Sequence, residues 1–356
     1  MRDNDTRDQN TPPTIESTTP SGPSPTTSAY LDSNSPATLP GSSNQSSDLN
    51  LEQIELVFHY TTQTFATFTE VPAQQHLWRI IAVQDALKCP FLMYGILAIS
   101  ALHLSHCRPE QASHYSRRAT ELQAVALRGF NLALPAINDH NFGPAMLFAG
   151  MLAAHVFADP SRSSHRTLND YLEHMSSFVK LSQGGKMIVR SFWQQILNSD
   201  YAPLVDVGLI AEGNTDLSEL PDAMKCLPAL VASDTALTTT YEPTIEQLQR
   251  VYVSHIRHPR VRSRFSATFS WLMLVPESFH DALEKRRPEA LIILAYYATL
   301  LHKQRENWLI GDAGASLIDA IHLHLGKHWN EWLAWPLAAV AEGTSNFHDA
   351  SPGVTS

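Results

Sequence analysis

Three stretches of this chain, 91–105, 145–158 and 290–302, are apolar around the full circumference of a helix. The last reads Ala-Leu-Ile-Ile-Leu-Ala-Tyr-Tyr-Ala-Thr-Leu-Leu-His. A helix without a polar face has to be surrounded by other elements, so the fold needs an outer shell of amphipathic helices. The sequence supplies them. Tyr115, Ala119, Leu122, Ala126, Phe130 and Leu134 recur at alternating three- and four-residue steps, the stripe of a half-buried helix. Leu51, Ile54, Phe58, Phe65 and Phe68 are expected to share one inward face. Pro90 and Pro288 stand where a first-turn proline belongs, and Pro135 and Pro336 are expected to close helices. No long run alternates at period two, and neither Asn-Gly nor Asp-Gly occurs. The expected fold class is all-α, a compact multi-helix globular domain over residues 51–342. The stretch 204–243, rich in Asp, Thr, Pro and Gly, is expected to be a long irregular connection with short helices at most.

Residues 1–50 are different material. They are mostly Ser, Thr, Pro and Asn, with too little apolar mass to offset the entropy of ordering them. A disordered N-terminal tail is expected there, and a frayed C-terminus over 343–356. The 44% apolar share of the 356 residues is enough for a large core elsewhere. The formal charge of −10 argues against direct nucleic-acid binding by the chain as a whole, because phosphate contacts need clustered Lys and Arg. Cys89, Cys107 and Cys226 lie far apart and form no Cys-x-x-Cys pair, so they are expected to be small buried residues. No apolar stretch reaches the roughly 20 residues of a membrane helix, and no membrane span is expected.

Seventeen histidines invite a metal reading. His322, His324 and His328 are the best spaced, with His324 and His328 one helical turn apart, but no suitable Cys, Asp or Glu stands beside them. A polar helix face accounts for them. His103, His106 and Cys107 read as a helix end, where histidine is favoured by the dipole. No metal and no cofactor is expected. Gly184-Gly185-Lys186 lacks the other parts of a phosphate loop and reads as a helix C-cap and turn. No acid, base and nucleophile come together in the sequence, so no catalytic residue is assigned and the chain is read as a non-enzyme. Arg257, Arg260, Arg262 and Arg264 form the one basic run. It reads as a solvated turn, with a phosphate or acidic-partner contact or an import segment as the alternative. Aromatic and Met side chains on buried helices serve equally as core and as the lining of an apolar ligand pocket. The candidates are Phe91, Met93, Met146, Met151, Trp271, Tyr296, Trp308, Trp329 and Trp332.

Several short motifs occur in a fixed order: His59-Tyr60-Thr61-Thr62, Pro90-Phe91-Leu92-Met93-Tyr94-Gly95-Ile96-Leu97-Ala98, Ala101-Leu102-His103-Leu104, Arg305-Glu306-Asn307-Trp308, Gly311-Asp312-Ala313-Gly314 and Trp332-Leu333-Ala334-Trp335-Pro336. Together they resemble the regulatory domain of fungal zinc-cluster transcription factors, in particular the sterol-uptake-control branch. The six-cysteine DNA-binding cluster of that family does not occur here. The resemblance implies an all-helical domain, a sterol-like or other apolar ligand, a nuclear location with shuttling to the cytoplasm, and control of sterol-related or secondary-metabolite genes. It also implies that promoters are reached through a zinc-cluster partner or a homodimer. A lipid-binding protein or a biosynthetic enzyme reusing the fold stays open as the second reading.

Overall fold

The computed structural model describes residues 50–158, 167–204, 216–257, 268–269, 271–272 and 275–342. The expectations for the tail (all but Asn50), the C-terminus, Arg260, Arg262 and Arg264 fall outside these residues. The described residues from Asn50 onward lie in one compact unit, and among them no strand occurs. The all-α expectation is met.

Among the described residues fourteen α-helices follow one another: α1 Leu51–Thr62, α2 Pro72–His76, α3 Ala82–Ala86, α4 Pro90–Cys107, α5 Ala112–Ala133, α6 Phe142–Phe157, α7 Leu168–Ser191, α8 Trp193–Leu197, α9 Asp222–Cys226, α10 Thr235–Arg257, α11 Glu277–Glu284, α12 Pro288–Lys303, α13 Ala313–Leu325 and α14 Asn330–Glu342. A π-turn, Leu77–Ile81, joins α2 to α3. The three all-apolar stretches are α4, α6 and α12. In α12 every residue from Ala290 to His302 is buried. α4 packs chiefly on α5 and also on α1 and α6, while α12 packs on α13 and α14. By length and composition α4 could cross a membrane, but 67% of it is buried inside the unit, as a core helix should be.

The outer helices show how local chemistry fixes ends and faces. α5 buries Tyr115, Ala119, Leu122, Ala126 and Phe130 of the expected stripe, whereas Leu134 lies past the helix end and is 38% exposed. Pro135 ends the α-helix in a 3-10 turn, Leu134–Ala136. Pro90 and Pro288 sit in the first turns of α4 and α12. α7 opens on a capping box in which Thr167 and Asp170 satisfy each other's backbone N–H.

Five further expectations are corrected. α1 buries Leu56, His59 and Tyr60, whereas Leu51, Ile54 and Phe58 are 71%, 48% and 65% exposed. Phe65 and Phe68 are buried, but they belong to and follow a separate 3-10 turn, so their phase does not carry back into α1. Pro336 lies inside α14 rather than ending it, at the cost of one helical hydrogen bond. Gly184-Gly185-Lys186 is interior to α7, not a cap. A side chain on Gly185 would meet Ala149 Cβ at 2.9 Å, so the small residue permits close packing of α7 on α6. Cys107 and Cys226 are exposed and Cys89 half-buried, because the first two fall in the last turns of α4 and α9. Finally, the connection after 204 holds more helix than expected. α10 starts at Thr235 and runs through Pro243.

Candidate functional site

The motif residues converge. His59 on α1 and His103 on α4 are 44 positions apart in sequence, yet His59 Nε2 lies 3.1 Å from His103 Nδ1. Thr64 Oγ1 stands 3.0 Å from the same Nδ1. Trp308, just beyond α12, stacks on the His103 ring at 4.8 Å. Its neighbour Asn307 donates a hydrogen bond to the Thr67 carbonyl at 3.1 Å. One turn before His59, Glu55 pairs with Arg108 at 2.7 Å, clamping the start of α1 to the end of α4. The hydrogen bond from Arg108 holds the Glu55 carboxyl below its ordinary range.

Burial dominates the electrostatics here. It pushes His103 down to about 3, with His59 and His106 as further causes. Burial also lowers His59, ahead of Arg108. Both rings are therefore neutral at pH 7. The sign of the consequence follows from linkage: the unfolded chain takes up the His103 proton near pH 6.5, and the folded chain resists it. Stability from this group is complete above pH 6.5 and is lost as pH falls towards 3. The loss at pH 5 is expected to be about 2 kcal/mol. Urea midpoints measured between pH 7 and 5 should fall steeply, and His103→Gln should flatten that slope. An unchanged slope in the variant would show that other groups set it.

A second feature is a cavity of about 460 Å³, within the usual range for small-molecule sites. It is partly open, and residues of α6, α7, α12, α13 and the turn before α13 line it. Its apolar wall comes from Phe157, Tyr171, Met175, Leu272, Leu301 and Leu317. Its polar residues are His174, Tyr297, Asp312 and Ser316. The Tyr297 hydroxyl is buried without a hydrogen-bond partner, and burial raises its pKa well above normal. A buried polar atom left unpaired is uncommon and costs roughly 1–3 kcal/mol. Gly314, in the first turn of α13, brings that helix against α12. A Cβ there would lie 2.4 Å from the His302 backbone nitrogen. Glycine thus sets the separation of the two helices that frame one side of the cavity.

The nine aromatic and Met residues singled out from the sequence are not gathered at this cavity, and none of them lines it. Phe91 makes edge contacts with Phe130 and Phe148 at 5.5 and 5.6 Å. Met146 and Met151 are buried along α6, and Met93 is half-buried on α4. Trp271 stacks at 4.4 Å on Tyr297, one layer behind the cavity wall. Tyr296 stacks on Trp335 at 5.0 Å, Trp308 packs on His103, and Trp329 and Trp332 pack partly buried at the C-terminal end. The residues that sequence reasoning missed, Tyr171, His174 and Tyr297 among them, carry no motif. Only Gly311-Asp312-Ala313-Gly314 pointed to this wall.

The histidine candidates separate as well. Gly326, with φ +68°, ends α13 after Leu325, so His324 and His328 do not share a helix. His322 Nε2 lies 3.1 Å from Asn330 Oδ1. Arg257 Nε pairs with Glu219 at 3.0 Å at the end of α10.

These features define an all-helical unit with a partly open cavity and a motif-built polar cluster. Residues 55–203 match the family described as the fungal specific transcription factor domain, which bears out the resemblance carried by the motifs. A Zn(2)-C6 fungal-type transcription factor of Gibberella zeae is 27% identical over 82% of this chain and 63% of its own length. The Zn(2)-C6 fungal-type transcription factor afumD of Aspergillus fumigatus is 24% identical over 71% of this chain and 68% of its own. Sterol uptake control protein 2 of Saccharomyces cerevisiae is 24% identical over 71% of this chain and 28% of its own. The chain thus spans less than two thirds of the first and third of these relatives. They are named as transcription factors and a control protein, not as enzymes.

Proposed function

We propose that the chain is the regulatory part of a fungal transcriptional regulator, acting in the nucleus, whose cavity takes an apolar ligand with one polar group. The observation that carries the regulator reading is the family match over residues 55–203. The relative named for sterol uptake control supports a sterol-like ligand and sterol-related target genes. The ligand reading rests on the cavity, whose wall includes Tyr297, a residue with a buried, unpaired hydroxyl that a small side-chain movement would turn towards a ligand. A ligand switches such a domain only by binding one conformation better than another, and about 1–3 kcal/mol of coupling suffices. Its partner in this reading is a zinc-cluster transcription factor or a second copy of the chain.

Deletion of the gene is expected to change the transcripts of a sterol-related or neighbouring gene set. Unchanged transcripts with one accumulating pathway intermediate would replace this reading with the enzyme one. The ligand part has its own test, native mass spectrometry of the full chain exposed to a fungal lipid extract. Tyr297→Phe should raise the urea stability of the ligand-free protein by about 1 kcal/mol and weaken retention of the bound lipid roughly fivefold to tenfold. Loss of stability with unchanged retention would mean that the hydroxyl serves the fold rather than a ligand.

A further inference from the structure

Apart from the cavity, a cluster of metal-ligating atoms among the described residues lies where α1 meets the end of α4. His59, His103 and Cys107 each place a ligand atom within 4.8 Å of the other two. Two of the three are imidazoles already in contact, at 3.1 Å. In a tetrahedral zinc site, bond lengths of 2.0–2.1 Å to nitrogen and 2.3 Å to sulfur put neighbouring ligand atoms roughly 3.3–3.6 Å apart. The imidazole pair is near that spacing. The thiol needs to close by about 1 Å, a side-chain rotation for the last residue of a helix.

The hydrogen bonding at the cluster points the same way. His103 Nδ1 has one ring position, a lone pair or a hydrogen. Two polar atoms compete for it, His59 Nε2 at 3.1 Å and Thr64 Oγ1 at 3.0 Å. Both histidines and Thr64 are buried, so water does not relieve the competition. A cation shared by the two imidazoles would resolve it and leave Thr64 to bond a water in the fourth position. The surroundings also hold the ligands in place. Trp308 stacks on His103, and the Glu55–Arg108 pair fixes the helix ends that carry His59 and Cys107. Cys107 is exposed, which gives the ion a way in.

We infer that His59, His103 and Cys107 form a zinc-binding site that ties α1 to the end of α4. The donor set, two nitrogens and one thiolate, suits zinc better than calcium or magnesium. Binding replaces the thiol proton of Cys107, which passes to solvent, and involves no redox change. The sequence spacing led to the opposite expectation, because His59 is far from Cys107 along the chain. The inference is independent of the ligand reading of the cavity.

The test uses the purified full chain, loaded with Zn²⁺, passed through gel filtration and assayed by elemental analysis. One zinc per chain is expected. Cys107→Ser should lose it, as should His59→Gln, while the His322→Gln/His324→Gln double variant should keep it. Loading with Co²⁺ instead should give a thiolate-to-cobalt charge-transfer band that is absent in Cys107→Ser. Cys107→Ser is the deciding variant if His59→Gln fails to fold, because it alters an exposed helix-terminal residue. No stoichiometric zinc in the unsubstituted chain, or zinc retained in Cys107→Ser or lost in the double variant, would overturn the inference.

Discussion

Gly314→Ala is expected to destabilise the protein by about 3 kcal/mol, whereas Gly184→Ala is expected to stabilise it by about 0.5–1 kcal/mol. The two substitutions add the same methyl group within a helix, and the surroundings decide the sign. At Gly314 the new Cβ would stand 2.4 Å from the His302 nitrogen and 2.5 Å from the Ala298 carbonyl oxygen. Both are backbone atoms of α12, whose residues there are buried on every side, so the clash is relieved only by prising α13 off α12. The cost should sit at the upper end for overpacking. At Gly184 the Cβ would meet nothing within 4 Å, and alanine simply restricts the unfolded chain and favours the helix. Urea unfolding checks both: the midpoint should fall in one variant and rise in the other, with m unchanged. The pair also discriminates between structures for residues 184–186. If these residues formed a C-cap and turn, with glycine in the left-handed region, Gly184→Ala would destabilise. A lowered midpoint for Gly184→Ala would therefore sink the α7 assignment.

What could be read from the sequence follows from how local the physics is. A helix with no polar face has one solution, and α4, α6 and α12 were therefore legible from composition alone. The α5 stripe was legible from Tyr115 to Phe130 because its period is unbroken for about four turns. α1 misled because its two faces are nearly balanced. Leu51, Ile54 and Phe58 make one plausible stripe, and Leu56 and Tyr60 make another. The choice falls to α4, whose Ser100 hydroxyl donates to the Leu56 carbonyl at 2.6 Å. No local pattern encodes that contact. The same limit applies to the sites. The motifs marked His59, His103, Trp308 and Gly314, but not that the first three touch. Tyr297 lies in a run where every side chain is buried, so nothing in the sequence distinguishes the hydroxyl that ends unpaired beside a cavity from Tyr296, which stacks on Trp335.

Trp271 draws that distinction most sharply, since the sequence admits it equally as core or as ligand lining. It is fully buried. Its ring stacks on Tyr297 at 4.4 Å, meets Phe279 edge-on at 5.6 Å, and donates its Nε1–H to the Thr244 carbonyl at 3.2 Å. Trp271→Ala removes all three interactions and opens a void behind the cavity wall. The expected loss is about 3–5 kcal/mol, a large part of the roughly 5–15 kcal/mol that holds a typical domain folded. Trp271→Phe keeps most of the apolar volume and forfeits the hydrogen bond, so it should cost less than half as much. Indole added to Trp271→Ala should recover part of the loss in proportion to the logarithm of its concentration, because an apolar void accepts a ligand of matching shape. A residue that merely lined a ligand-accessible wall would behave otherwise. Its truncation would enlarge the cavity at a cost below about 1 kcal/mol in the ligand-free protein, and indole would stabilise the parent and the variant alike. Urea midpoints of the three proteins, with and without indole, separate the two cases. Equal stabilisation of parent and variant would remove Trp271 from the core and return it to the ligand site.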